Sequence, residues 1–107
     1  MTLESKFQAG LIKDLKELFP NCIVLKNDAN YIQGIPDLLI LFEDKWAALE
    51  GKSSKGARQQ LNQVYYIRLM DEMSFCRLIS PENKEEVLNE LQLALRPRRS
   101  TRLPKRL

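Results

Sequence analysis

The sequence contains no histidine. Ser-His and Cys-His catalysis, HNH-type nuclease chemistry and His-based zinc sites are therefore excluded. Its 2 cysteines, Cys22 and Cys76, lie far apart and form no C-x-x-C pair. They read as two separate thiols in a reducing compartment rather than as a disulfide framework. No apolar run approaches the roughly 20 residues that a membrane span needs. The first residues, MTLESKFQ, carry an early Glu4 in an amphipathic segment. That is the wrong composition for a signal peptide, and a cytoplasmic location is expected. No internal repeat is visible. Any hydrolytic chemistry is left to carboxylates, lysines and a hard cation such as magnesium.

What the chain does have is the make-up of one globular domain. Its 107 residues are 44% apolar and 29% charged. A chain of that length buries about two-thirds of its unfolded surface in a single core. The net charge of +3 hides an asymmetry. Residues 96–107 hold six cations and no acid, which leaves −3 on the rest of the chain. We therefore expect a domain over 1–95 and a basic, disordered tail over 96–107.

Along the chain, Phe7, Leu11, Leu15 and Leu18 recur at helical spacing, with Thr2 or Ser5 as a cap and Pro20-Asn21 as the stop. Residues 22–26, CIVLK, read as a strand. Residues 38–42 and 46–49 read as a hairpin around Glu43-Asp44-Lys45. Leu61, Val64, Ile67 and Met70 set a second helix over 57–72, and residues 74–79 give a fourth strand. Ser80-Pro81 reads as the N-cap and first residue of a last helix whose buried stripe is Val87, Leu88, Leu91 and Leu95. The order α, β, β, β, α, β, α predicts an α/β fold, with a mixed four-stranded sheet flanked by helices.

The chain is organised around residues 34–52, GIPDLLILFEDKWAALEGK. Gly34 permits an unusual backbone angle, and Pro36 pre-sets the approach to Asp37. Counting outward from Asp44 sets Asp37 opposite Gly51 and diagonal to Glu50 and Lys52. Glu50 and Lys52 share a strand face. Two carboxylates and an ammonium thus gather at the end of apolar strands. Such a cluster is costly unless the carboxylates hold a metal ion and the lysine has an anionic partner.

Pro36-Asp37 followed by Glu50-x-Lys52 resembles the PD-(D/E)xK nuclease signature. With Glu4, GIPDLL at 34–39, EGKSSKGAR at 50–58 and NQVYY at 62–66, the likeness extends over roughly residues 3–90. The chain is similar to small VRR-NUC-type nucleases of the sort phages encode. The resemblance implies a restriction-endonuclease-like fold and a magnesium-dependent endonuclease, with manganese as a substitute. Asp37 and Glu50 would be metal ligands, the carbonyl of Gly51 a third, and Glu4 a holder of a second metal or its waters. Lys52 would orient or deprotonate the attacking water, or steady charge on the phosphate. Gln63, which shares a helix face with Tyr66 and Ile67, would position Lys52 or the phosphate.

The expected partner is DNA, contacted by Lys26, Lys55, Arg58, Arg96, Arg98, Arg99 and Arg102. Branched DNA of the Holliday-junction kind is the leading substrate, because no sequence-reading module is visible. A homodimer fits such a substrate, since two strands must be cut. Flap or nicking activity is the alternative within hydrolysis. A nucleic-acid-binding module that keeps the fold without the activity is the alternative outside it.

Overall fold

The computed structural model describes residues 2–54 and 59–97. Among the described residues seven elements follow one another: α1 (Leu3–Leu18), β1 (Ile23–Lys26), β2 (Leu38–Phe42), β3 (Lys45–Gly51), α2 (Leu61–Met73), β4 (Cys76–Ile79) and α3 (Lys84–Ala94). The strands form one sheet in the order β1-β2-β3-β4. The first two pairings are antiparallel, and β3 pairs with β4 in parallel through the α2 crossover. The mixed sheet with flanking helices is the architecture expected from the sequence.

Alternation along the strands sorts the side chains onto two faces. One face carries Leu38, Ile40, Ala47, Leu49 and Ile79. It packs with Leu11, Leu15 and Phe19 of the α1 segment and with Val87, Leu91 and Leu95 of the α3 segment as a single core. Helix α1 starts where Thr2 accepts the Ser5 amide at 3.0 Å, and its leucine stripe is fully buried at Leu11 and Leu15. The other face carries Leu39, Leu41, Trp46, Ala48 and Glu50, with Cys76 and Leu78 from β4. Helix α2 belongs to this second face and buries no residue completely.

Three differences from the sequence expectation bear on the site. The hairpin turn has two residues rather than three, because Phe42 pairs directly with Lys45. Glu43 takes φ 56° to allow it, a left-handed conformation that nothing in its side chain announces. Helix α2 begins at Leu61, four residues later than expected. Gln60 has extended backbone, and its amide donates to Gln63 Oε1 at 3.1 Å. Residues 57 and 58 of the expected helix lie outside the described residues.

The third correction is at α3, whose N-cap is Asn83 rather than Ser80. Ser80 is buried at the end of β4, where its amide donates to Asn83 Oδ1 at 2.7 Å. Asn83 Nδ2 in turn donates to the Leu78 carbonyl at 3.1 Å. A side chain spent on closing this strand-to-helix turn leaves Pro81 in the turn and not at the helix start.

Candidate active site

The two-residue turn changes the register at the far end of the hairpin. Leu38 pairs with Leu49, so the same count sets Asp37 directly opposite Glu50 and not opposite Gly51. The two carboxylates therefore share one face, where the sequence reading had them only diagonal. Asp37 N–H donates to Glu50 Oε1 at 3.1 Å, and Gly51 N–H donates to Asp37 Oδ2 at 3.2 Å. Each acid is thus fixed by the backbone beside the other. Asn27 locks the approach from the opposite side. Its amide donates to the Asp37 carbonyl at 2.7 Å and its Nδ2 to the Pro36 carbonyl at 2.8 Å.

Glu50 is 3% exposed, which makes it the one buried carboxylate among the described residues. Its Oε2 receives Gln63 Nε2 at 2.8 Å and faces Lys52 Nζ at 3.4 Å. Strand β3 ends with Lys52 N–H donating to the Ile79 carbonyl at 2.8 Å, which holds the lysine over the site. Burial, and next the charge of Asp37, push the Glu50 carboxyl up to about 7; the Lys52 ammonium opposes this only in part. Two acids side by side in a dehydrated corner are an arrangement that a cation relieves.

Gln63 reaches Glu50 because α2 is seated by a close contact. Gly34 has φ +90°, and a Cβ built there would lie 2.8 Å from the backbone carbon of Asn62. Only glycine lets the loop come this near to the first turn of α2. The same Gln63 side chain closes that turn through its Oε1, so helix start and site ligand are one residue. Sequence reasoning found Gln63 through resemblance and missed Asn27. A lone asparagine in a polar loop carries no signal of what it will hold.

Of the remaining expected residues, Gly51 lies in β3 with its amide turned toward Asp37. In extended backbone a residue's carbonyl faces the same neighbouring strand as its amide, so this carbonyl is directed toward the carboxylate side. Glu4 is exposed on the first turn of α1 and forms no three-acid metal group with the pair. The residue that α1 sends toward Gly51 is Phe7, 4.0 Å from where a Gly51 Cβ would stand. Among the described residues no three acids, cysteines or histidines form a group that could by itself hold a metal ion. Lys26 ends β1 exposed, and Arg96 is exposed just beyond α3. Lys55, Arg58, Arg98, Arg99 and Arg102 lie outside the described residues, as does most of the expected tail.

Two carboxylates and one carbonyl form a donor set of the kind magnesium accepts, since that ion binds through one or two carboxylates and keeps several waters. The residues present fit such an ion. Cys22 and Cys76 are free thiols, and burial pushes Cys76 up to about 12. No helix among the described residues is long and apolar enough to cross a membrane. Comparison with family models, curated proteins and solved structures gives no match to this chain.

Proposed function

We propose that the protein is a magnesium-dependent endonuclease that hydrolyses DNA phosphodiester bonds, selecting branched structures. One observation carries this reading. Asp37 and Glu50 stand opposite each other on one sheet face, with Lys52 and Gln63 both on Glu50. A salt-bridged hairpin end needs one acid for one base. Here a second acid is held against the first by backbone amides, which costs folding energy and makes sense as a cation seat.

Bound magnesium would neutralise phosphate charge and acidify a water. The rest falls to the chain's own groups. Asp37 and Glu50 would hold the ion, with Gly51 offering its carbonyl. Lys52, whose side chain is 13% exposed against 4% for Glu50, would orient the attacking water with its ammonium and stabilise the negative charge that grows on the phosphate oxygens. Gln63 restrains Glu50 so that its free lone pairs keep one direction. A glycosidase would also use two carboxylates, but it has no use for this lysine.

The test is cleavage of labelled four-way junction, flap, duplex and single strand by the purified chain with magnesium. Wild type is expected to cut the junction best, and Asp37→Asn to bind it without cutting. Binding with no cleavage of any substrate by the wild type would leave a nucleic-acid-binding module. Cleavage by Asp37→Asn at near the wild-type rate would overturn the site assignment.

A further inference from the structure

A cavity of about 530 Å³ opens beside the carboxylate pair, between the loop over residues 27–37 and α2. Its walls are Ile32, Ile35, Leu39 and Met70, and its rim carries Asn27 and Tyr31. Leu39 follows Asp37 by two positions, so both lie on the sheet face that also bears Glu50, about 7 Å apart along the strand. The cavity therefore opens next to the candidate catalytic corner and on its side of the sheet.

The loop that builds it is well braced. Asn30 N–H donates to Asp28 Oδ1 at 2.8 Å, and the Tyr31 and Ile32 amides both donate to the Asp28 carbonyl. The Ile35 amide donates to the Ile32 carbonyl at 3.3 Å, and Asn27 is tied to Pro36. Yet Tyr31 is left 86% exposed, a large ring with nothing packed on most of its surface. A rigid loop that presents an aromatic ring at the mouth of an apolar cleft is built to receive something.

We propose that this cleft takes an unstacked nucleobase of the substrate strand next to the scissile phosphate, with Tyr31 stacking on it. The inference rests on the nuclease reading and adds what selects the substrate. A base has flat apolar faces and hydrogen-bonding edges, which matches apolar walls with the Tyr31 phenol and a polar Asn27 among them. A phosphate is a poor match, because the Asp28 carboxylate borders the opening. A purely apolar ligand would leave the polar rim unused. Bases inside a duplex cannot enter, whereas those at a branch point or in a single strand can be turned out at little cost. Selectivity for branched DNA would then come from this cleft and not from reading a sequence.

The experiment measures binding by the full chain in EDTA, so that cleavage plays no part. Fluorescence anisotropy compares a single-stranded oligonucleotide with an abasic deoxyribose-phosphate strand of equal length, at one salt concentration. The wild type is expected to prefer the strand with bases by about tenfold, a typical effect of one base–aromatic stack. Tyr31→Ala should erase that preference, while Tyr65→Ala, an exposed tyrosine of α2 away from the cavity, should keep it. Equal binding of the two strands by the wild type would overturn the inference and leave the nuclease reading standing. So would an equal loss in Tyr65→Ala, or a dimer in light scattering that Tyr31→Ala dissolves. Failure to bind any nucleic acid in EDTA would overturn this inference, and failure also to cleave any with magnesium would overturn the nuclease reading with it.

Discussion

At the scale of single residues, the candidate site is a contest over Glu50. Three donors converge on its carboxylate, while burial and Asp37 work against its charge. Its pKa is raised from 4.5 to about 7, so the folded chain keeps a proton that the unfolded chain releases in that window. The stability this proton brings is fully present below about 4.5 and is lost as pH rises through about 7. In EDTA, thermal stability of the wild type should fall across that window, by at most about 1.4 kcal/mol per pH unit from this group. Glu50→Gln should flatten the fall, and magnesium should raise the melting temperature more at pH 8 than at pH 5, because the ion competes with the proton. Parallel melting profiles for wild type and Glu50→Gln would refute the assignment. Lys52 makes a separate prediction. Its side chain is 13% exposed and its ammonium touches one Glu50 oxygen, but the Asp37 amide and Gln63 still donate to that carboxylate, so Lys52→Ala should fold. It should lose at least about a hundredfold in cleavage while binding magnesium in calorimetry, as expected for a lost charge stabiliser. Activity that falls only in step with unfolding would reduce Lys52 to a structural partner of Glu50.

At the scale of elements, the sheet and its helices were legible in the sequence because the apolar periods are clean. The leucines of α1 and the run 38–42 leave little choice of structure. What was not legible was the turn. Asp44 looked like the centre of a three-residue loop, and only the left-handed backbone at Glu43 shortens it. One residue of slip moves every side chain to the other face. That slip separates a diagonal guess from a direct pair at Asp37 and Glu50. The N-cap of α3 failed for a similar reason, since Asn83 hydrogen-bonds backward to Leu78 and Ser80 in contacts that a local pattern does not contain. The seating of α2 is the element that most directly serves the site. Gly34→Ala would place a methyl against the Asn62 backbone at a φ that alanine avoids. It should destabilise the fold by about 1–3 kcal/mol, the usual cost of a residue forced into such a conformation. Because Gln63 follows Asn62, cleavage should drop beyond what the lost stability explains. A Gly34→Ala variant with wild-type melting and turnover would show that α2 is not seated by this contact.

At the scale of the whole molecule, charge is divided between a body with a balance of −3 and a terminal segment with six cations. Helix α3 sharpens the division, with Glu85 and Glu86 in its first turn and Glu90 one turn later. An acidic body that must approach a phosphate backbone needs an attractive charge from elsewhere. Residues 98–107 supply five of the six cations, and Lys55 and Arg58 add two more before α2. The core of the described residues reaches Leu91 and Leu95, both of which a deletion of 98–107 leaves in place. The truncated chain should melt as the full one does. Its affinity for DNA should fall, and the slope of log K against log salt should flatten by up to about 4, at roughly 0.9 per phosphate contact. Cleavage at saturating DNA should persist, because Asp37, Glu50 and Lys52 stay in place. The competing role for the segment is assembly, in which its arginines dock on a second copy. Affinity across a salt series and subunit mass by light scattering, measured together on both chains, separate the two. An unchanged salt slope with a dimer turned monomer would assign the cations to assembly. A flattened slope at constant mass would assign them to DNA, which is the outcome expected from an acidic body with its cations gathered at one end.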